Sequence, residues 1–241
     1  MTKRNRHSAP PLVVEVSGPL ACFTRPELKV ERVSYPVMTP SAARGLLEAI
    51  FWKKEFRYDV VKIEVLAPVR WFSLRRNEVK SVVTPPRIRE LRRDPSRRYD
   101  VEEDRDQRNT VALRDVAYRI HAHVDLAPHT TATEAKYRDQ FRRRVERGAC
   151  FSQPFLGCRE FAADFGPTTT RPPIRHDEAP EDGEELGVML HSIVYTDTGE
   201  RYRWFRARLE QGILHVPEHP LSDTEVDMPA RSARARRAAE G

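Results

Sequence analysis

The sequence predicts a mixed α+β protein in which helices and strands alternate through the first two thirds of the chain and strands alone follow. Apolar residues recur at helical spacing in two segments, as in helices that bury one face. In other segments they recur at every second position, as in half-buried strands. Of the 241 residues, 39% are hydrophobic and 32% are charged. This balance is typical of a globular protein with a heavily charged surface.

The first predicted elements are a strand, a helix and a second strand. Pro11–Val16 is a short apolar run that ends at Ser17-Gly18-Pro19, which predicts a buried strand and then a turn. Thr39 can cap a helix whose first position is Pro40. The apolar residues that follow at helical spacing are Ala43, Leu46, Leu47 and Ile50. Val60–Leu66 is rich in β-branched residues and predicts the next strand.

Residues 75–109 differ in character, because arginines and prolines interrupt any apolar pattern. The most crowded arginines are Arg87, Arg89, Arg92, Arg93, Arg97 and Arg98. The acidic run Glu102-Glu103-Asp104 follows them. Such a mixed, charged segment predicts a solvated loop inserted into the domain. The functional alternative is a basic finger that closes over a phosphate backbone.

A strand, a helix and a strand-like segment complete the amino-terminal unit. Apolar residues alternate from Thr110 to Leu126, which predicts a strand. The helix predicted from Thr133 to Arg147 carries an apolar stripe opposite a basic face. Residues 151–161 are strand-like. The order strand, helix, strand, strand, helix, strand is the ferredoxin-like βαββαβ arrangement, which many RNA-binding modules share.

The chain divides into four predicted regions. Residues 1–166 form the ferredoxin-like domain, with the basic insertion at about 75–109. Residues 167–185 are rich in proline and then acidic, which indicates a linker. Residues 186–216 predict a small antiparallel β-sheet domain with glycines at its turns. Residues 217–241 have few large apolar residues, so we predict a disordered tail.

The charge of the chain points to an anionic partner. The formal net charge is +6, with 35 arginines against 7 lysines. Guanidinium groups bind phosphates through two parallel hydrogen bonds and stack on bases, so an arginine-rich surface suits nucleic acid. Codon bias of a GC-rich genome is the alternative explanation for the arginine excess.

Several function classes lose support from the sequence. It contains no phosphate-binding G-x-x-x-x-G-K-[ST] motif, no G-x-G-x-x-G, no H-E-x-x-H and no G-x-S-x-G. Cys22, Cys150 and Cys158 cannot all pair and form no C-x-x-C unit, so we expect neither a disulfide scaffold nor a cysteine zinc site. No apolar run approaches the roughly 20 residues of a membrane span. We therefore expect a cytoplasmic location and no membrane partner.

His121 and His123 lie two residues apart on a predicted strand, so their side chains point to the same face. Such a pair can be half of a metal site, which would make the protein a metal nuclease that a chelator inactivates. No acidic ligand follows at a telling spacing, and a half-exposed strand histidine is the better interpretation. We expect no metal and no cofactor.

Seven motifs occur over roughly residues 10 to 165. They are Cys22–Tyr35 (CFTRPELKVERVSY), Met38–Lys53 (MTPSAARGLLEAIFWK), Arg75–Val79 (RRNEV), Gln107–Thr110 (QRNT), Ala122-His123, Ala135–Arg144 (AKYRDQFRRR) and Phe155–Phe161 (FLGCREF). In this order they resemble motifs of the subtype I-C (Dvulg) CRISPR-associated proteins of the fifth Cas family, with weaker similarity to about residue 216.

The resemblance implies a ferredoxin-like amino-terminal domain and a small carboxy-terminal β-sheet domain. It also implies a metal-independent endoribonuclease that cuts precursor CRISPR RNA within each repeat. The protein would then stay on the repeat-derived 5′ handle as a subunit of the type I-C interference (Cascade) complex. Its partners would be the CRISPR RNA, the backbone and large subunits of that complex, and target DNA near the handle.

The family's proposed active site is a tyrosine on the first helix and an adjacent lysine and histidine on the second. Position by position, the tyrosine becomes Phe51, the lysine is Lys136, and the histidine becomes Tyr137. Lys136 can supply positive charge to a phosphorane, and Tyr137 can hydrogen-bond the 2′-hydroxyl or donate to the leaving group. Phe51 can stack on a base but cannot move a proton. Core packing is the alternative role for both aromatic residues.

Further RNA contacts are expected from the resembling loop and from the second helix. They are Arg25, Lys29, Arg32 and Tyr35 in the loop, and Arg143 and Arg144 on the helix. Because two of the three active-site positions depart from the family pattern, a second hypothesis stays open. In it, the protein is a non-catalytic scaffold that caps the 5′ handle while cleavage is lost or done elsewhere.

Overall fold

A computed structural model describes residues 7, 9–28, 31–174, 183–197 and 199–222. Their helices and strands in chain order are β1 (Leu12–Ala21), β2 (Arg32–Val33), α1 (Pro40–Ile50), β3 (Phe56–Val65), β4 (Trp71–Val79), α2 (Pro85–Arg93), β5 (Arg105–Leu126), α3 (Glu134–Arg147), β6 (Asp164–Gly166), β7 (Glu184–Thr196), β8 (Gly199–Glu210) and β9 (Ile213–His215). The predicted mixed α+β class is confirmed.

Within these described residues the strands form one nine-stranded sheet in the order β6-β1-β5-β3-β9-β8-β7. β2 and β4 pair with β5 outside this path. Every pairing is antiparallel except that of β2 with β5. The carboxy-terminal strands are hydrogen-bonded to the same sheet, because β9 pairs with β3 as well as with β8.

The two longer helices pack on the sheet and enclose the core. Thr39 caps α1 as expected, since its side chain accepts a hydrogen bond from the amide of Ala42 at 3.2 Å. The apolar stripes of α1 and α3 meet the buried face of β1, β3 and β5, where Val14, Ile63 and Ile120 are fully enclosed. No helix in the described part of the chain has the length and apolar character that a membrane span requires.

The opposite face of the sheet is polar and centres on Arg119. Its guanidinium contacts carboxylate oxygens of Glu15 and Glu64, each at 2.6 Å. Lys62 Nζ lies 2.7 Å from Glu64 and His121 Nε2 lies 2.9 Å from it. Burial alone would raise the pKa of Glu64, but the hydrogen bonds from Lys62 and Arg119 outweigh it, and the pKa is lowered from 4.5.

The prediction of a solvated loop at 75–109 is wrong. β4 pairs with the first nine residues of β5 over Trp71–Val79, and α2 lies between the two strands. The long β4–β5 hairpin forms although its outer part buries little, because its backbone hydrogen bonds do not depend on an apolar face. No side chain of α2 is buried.

The prediction of a strand at 151–161 is also wrong. Phe155 and Ala162 form only an isolated bridge, and the amide of Leu156 bonds the carbonyl of Phe161 at 2.8 Å within the same loop. Gly157 has φ of +85°, which interrupts an extended strand. Leu156 and Phe161 are buried from a loop, and the strand that follows is β6.

β1 continues past the predicted turn to Ala21. Gly18 pairs with Val116 and Leu20 with Arg114, while Pro19, which has no amide hydrogen, is skipped in the register. The described residues exclude 175–182, which is part of the predicted linker. They also exclude 223–241, which is most of the predicted disordered tail. Gly199 and Gly212 have positive φ, as expected at turns.

Candidate active site

Lys136 stands in the first turn of α3 with its side chain exposed to solvent. Its Nζ lies 5.9 Å from the centre of the Tyr137 ring. Among the described residues no carboxylate forms an ion pair with it, whereas the neighbouring Arg138 is paired with Glu134 at 3.1 Å. The ammonium group is therefore free to meet an anion such as a phosphate.

Tyr137 belongs to a cluster of aromatic side chains between α3, α1 and β3. The cluster consists of Phe51, Phe56, Tyr58, Tyr137 and Phe141. The rings of Phe56 and Tyr137 are 4.9 Å apart, and those of Phe51 and Phe56 are 5.5 Å apart. Tyr137 is only 5% exposed, so its ring packs in the core.

The chemistry of the Tyr137 hydroxyl follows from its surroundings. Loss of contact with water raises its pKa, and the negative charge of Glu55 raises it further. The hydroxyl therefore stays protonated at neutral pH. It can donate a hydrogen bond or a proton, but it cannot accept a proton as a general base.

Phe51 and Arg144 join the ends of the two helices. Phe51 is 1% exposed, and its carbonyl accepts a hydrogen bond from Tyr58 Oη at 2.8 Å. The guanidinium carbon of Arg144 lies 5.2 Å from the Phe51 ring centre. Arg144 Nη1 also donates to the carbonyl of Ile50 at 2.8 Å. Arg143, one residue earlier, is exposed and makes no ion pair with a described residue.

The loop residues predicted to contact RNA lie elsewhere. Tyr35 is fully buried, and its amide bonds the carbonyl of Phe23 at 2.8 Å, beyond the end of β1. α3 instead reaches the start of β1, because Arg138 donates to the carbonyl of Pro10. β1 is ten residues long and rises about 3.3 Å per residue, so about 30 Å of strand separates the two regions.

The arginines of that loop are engaged. Arg25 stacks over the Tyr35 ring at 4.6 Å. Arg32 lies 3.1 Å from Glu160 and 3.3 Å from Glu78. Lys29 lies outside the described residues. The structure therefore brings together Lys136, Tyr137, Phe51, Arg143 and Arg144, and it does not bring Arg25, Arg32 or Tyr35 to them.

Three residues that the sequence did not single out border this region. Glu55 has a buried carboxylate oxygen without a hydrogen-bond partner among the described residues. Trp52 and Phe151 expose their rings beside the end of α1. The sequence signal for Trp52 is its position directly after the last core residue of the helix. Phe151 has no local signal, because only the fold brings it to α1.

The histidines on β5 do not assemble a metal site in the described part of the chain. His121 contacts Glu64, and His123 stacks on His7 with ring centres 4.2 Å apart. No group of three or more His, Cys, Asp or Glu side chains there could hold a metal ion. The pKa values of His121 and His123 are both lowered, mainly by burial.

Comparison with known proteins gives a consistent result. Residues 11–240 match the family model described as CRISPR-associated protein (Cas_Cas5). The chain is 41% identical over 211 residues to a protein of Mannheimia succiniciproducens named CRISPR pre-crRNA endoribonuclease Cas5d. That alignment covers 85% of this chain and 93% of the relative. A protein of the same name from Thermus thermophilus is 42% identical over 226 residues, covering 86% and 91%.

Solved structures share the fold. A crystal structure of a CRISPR-associated protein matches with a TM-score of 0.62 and 21% identity, over 90% of this chain and 95% of the other. A functionally uncharacterized protein from Streptococcus mutans matches with a TM-score of 0.60 and 20% identity over the same shares.

Proposed function

The chain belongs to the Cas5d family of CRISPR-associated proteins, and we propose that it is an endoribonuclease that cleaves precursor CRISPR RNA within the repeat without a metal ion. The observation that carries this proposal is the exposed Lys136, which no described carboxylate pairs with, 5.9 Å from the centre of the Tyr137 ring, on the helix where the resemblance places the active site. Two relatives at 41% and 42% identity carry the name of that activity.

The proposed reaction uses the RNA, these two side chains and an acceptor for one proton. The 2′-oxygen attacks the adjacent phosphorus and loses its proton to solvent or a neighbouring base. The bond between phosphorus and the 5′-oxygen breaks, leaving a 2′,3′-cyclic phosphate and a 5′-hydroxyl. Lys136 stabilises the negative charge that develops on the phosphorane. Tyr137 donates a proton or a hydrogen bond to the departing 5′-oxygen.

Positioning contributes much of the rate in this scheme. Within the described residues no carboxylate pairs with Lys136, so in this scheme holding the 2′-oxygen in line with the scissile bond is the main source of acceleration. We expect slow cleavage for that reason. Burial, and after it the negative charge of Glu55, raises the pKa of Tyr137 further above its usual value.

The test uses the full-length protein with its own repeat RNA in EDTA. Wild type should give one product pair, while Lys136→Ala and an RNA with a single 2′-deoxy sugar at the cut site should give none. Intact RNA that is nevertheless tightly bound by wild type would sink the nuclease proposal. It would support the non-catalytic scaffold instead, which is favoured by the absence of a hydroxyl at Phe51 and by its burial.

We also propose that the protein remains on the 5′ handle as a subunit of the type I-C interference complex in the cytoplasm. Its partners there would be the backbone and large subunits, with target DNA near the handle. Arg25, Lys29 and Arg32 would act in handle binding or assembly rather than at the scissile phosphate, and the buried Tyr35 would support Arg25, which stacks on its ring. Co-purification of the handle RNA with the chain from cells that express the whole complex tests this assignment.

We propose the ferredoxin-like arrangement for the amino-terminal unit. It is supported by the antiparallel order β6-β1-β5-β3, with α1 between β1 and β3 in the chain and α3 between β5 and β6. The division into residues 1–166, a linker at 167–185 and strands at 186–216 stays a prediction. Limited proteolysis should cut first within the linker if it is correct.

A further inference from the structure

Two large aromatic rings are exposed at the carboxy-terminal end of α1. Trp52 is 49% exposed and Phe151 is 71% exposed. They come from segments about 100 residues apart in the chain, which the fold brings to one helix end. A single exposed ring is common on protein surfaces, but neighbouring exposed rings mark binding surfaces.

The backbone beneath both rings is fixed. The amide of Phe151 donates to the carbonyls of Ala49 at 2.8 Å and Ile50 at 3.2 Å. The amide of Phe51, just before Trp52, donates to the carbonyl of Leu47 at 2.9 Å, and its ring is locked in the aromatic cluster. The two rings therefore project outward from a rigid support, which lowers the entropic cost of binding.

The rings lie within a positively charged surface. Lys53 and Lys54 follow Trp52, and Arg143 and Arg147 lie on the last turns of α3, before Phe151. All four are exposed, and none forms an ion pair with another residue that the structure describes. Glu146 is the one carboxylate in the segment 142–152. The surface therefore combines unneutralised cations with open ring faces.

This combination matches single-stranded nucleic acid better than a protein. Bases stack on exposed aromatic rings while lysine and arginine track the phosphates. An apolar protein partner would require a continuous apolar patch, and here exposed cations accompany the rings in both segments of the chain. No ring contact joins Trp52 and Phe151 within the described residues, so the two rings do not cover each other, and the exposed part of each can meet a base.

The two rings are connected to the candidate active site through the core. Phe51 links Trp52 to the cluster that contains Tyr137, through Phe56. Lys136 and Arg147 are eleven residues apart on α3, which is about 16 Å of helix and the length of a few nucleotides. An RNA strand held at the rings can therefore reach Lys136.

We propose that Trp52 and Phe151 form a stacking platform for unpaired bases of the repeat RNA next to the scissile phosphate. The platform, together with Lys53, Lys54 and Arg147, fixes the register that places the phosphate at Lys136. The inference rests on the proposed function for its substrate. Both aromatic residues are positioning residues, since they act on the phosphate only through the strand they hold.

The test separates base stacking from cleavage. Trp52→Ala, Phe151→Ala and the double variant are compared with wild type for binding of an uncleavable repeat RNA that carries 2′-deoxy at the cut site. 2-Aminopurine at each position flanking that site reports stacking through its quenched fluorescence. Trp71→Ala is the matched control, because Trp71 is 50% exposed on β4, outside this surface.

Each single alanine variant should weaken binding about 5- to 150-fold, the loss of one stacked base, and relieve the quenching at one flanking position. Trp52→Phe and Phe151→Tyr should restore both signals, and Trp71→Ala should bind as wild type does. Unchanged affinity and quenching in both single variants would overturn the platform, even if wild type cleaves. If wild type binds with quenching but never cleaves, only the nuclease proposal fails. Absence of any repeat binding would overturn both.

Discussion

Arg144 stacks on the ring of Phe51 and also binds the carboxy-terminal end of α1, the helix that ends just before Phe51. Its guanidinium carbon is 5.2 Å from the ring centre and its Nη1 is 2.8 Å from the carbonyl of Ile50. A cation at the carboxy terminus of a helix donates a hydrogen bond to a free carbonyl and interacts favourably with the negative end of the helix dipole. A residue expected to grip RNA thus also holds α1 against α3.

Arg144→Ala should lower the free energy of unfolding by about 1–3 kcal/mol, from the lost hydrogen bond and cation–π contact. Arg143→Ala should change it by less than about 0.5 kcal/mol, because its side chain is exposed and unpaired. Urea unfolding of both variants measures this. Salt titrations of RNA binding should show the slope reduced by about one for Arg143→Ala. Equal stabilities would show that Arg144 does not join the helices.

Tyr137→Phe separates the hydroxyl from the ring. The ring stays in the aromatic cluster, so the melting temperature should be close to that of wild type. Single-turnover cleavage should slow about 100-fold or more if the hydroxyl acts as a general acid. Tyr137→Ala should in addition lower the melting temperature, since it leaves a hole beside Phe56. Cleavage at the wild-type rate by Tyr137→Phe would remove the hydroxyl from the mechanism.

Phe51→Tyr restores the tyrosine that the family has at this position, and we expect it not to accelerate cleavage. The ring is 1% exposed, so the new hydroxyl would be buried without a designed partner, at a cost of about 1–3 kcal/mol. Cleavage rate and thermal melting of this variant are the measurements. A faster enzyme of unchanged stability would show that the ring edge reaches the RNA.

Acid should destabilise the fold from about pH 6.5 downward. Burial lowers the pKa of His121, His123 and His191 from 6.5, and the pKa of Glu64 is lowered from 4.5 by the hydrogen bonds that outweigh its burial. As pH falls below 6.5 for the histidines and 4.5 for Glu64, the unfolded chain therefore binds more protons than the folded chain. The free energy of unfolding then falls as pH falls. The histidines act first, below 6.5, and Glu64 below 4.5.

Urea unfolding at pH 7, 6, 5 and 4 measures this dependence. His123→Gln should flatten the change between pH 7 and 5, because it removes one of the three groups. A free energy of unfolding that is constant or rises between pH 7 and 5 would contradict the assignment.

Two glycine-to-alanine changes should have opposite signs. At Gly157, φ is +85° and an added Cβ would collide with the carbonyl oxygen of Cys22, so Gly157→Ala should cost about 2–6 kcal/mol. At Gly45, within α1, a Cβ meets nothing within 4 Å, so Gly45→Ala should stabilise by about 0.5–1 kcal/mol. Thermal unfolding of the pair checks both. A destabilised Gly45→Ala would mean that α1 is more crowded than described.

Elements whose apolar pattern coincides with burial could be predicted from the sequence. Thr39 and Pro40 mark the start of α1 correctly, and the alternation from Thr110 to Leu126 marks the inner part of β5. The outer β4–β5 hairpin was missed because its strands bury few side chains and leave no alternation to detect. Residues 151–161 were wrongly predicted as a strand because Leu156 and Phe161 are buried although they lie in a loop.

The site was predictable only in part, for a similar reason. Lys136 and Tyr137 are neighbours in sequence, and the helical stripe left core packing of Tyr137 open as the alternative to catalysis. The contact of Arg144 with Ile50 and the placement of Phe151 beside Ala49 depend on how two helices meet. The spacing of residues along the sequence does not predict contacts of this kind between two helices.

The β4–β5 hairpin, with no buried residue in α2 or β4, has an evolutionary consequence. Mutations, insertions or deletions at its tip disturb no interior packing, while the same changes on the inner half of β5 do. Natural selection can therefore reshape the tip for new neighbours with little penalty to folding. At this tip, between Val79 and Arg105, relatives should diverge in length and charge more readily than in the inner half of β5.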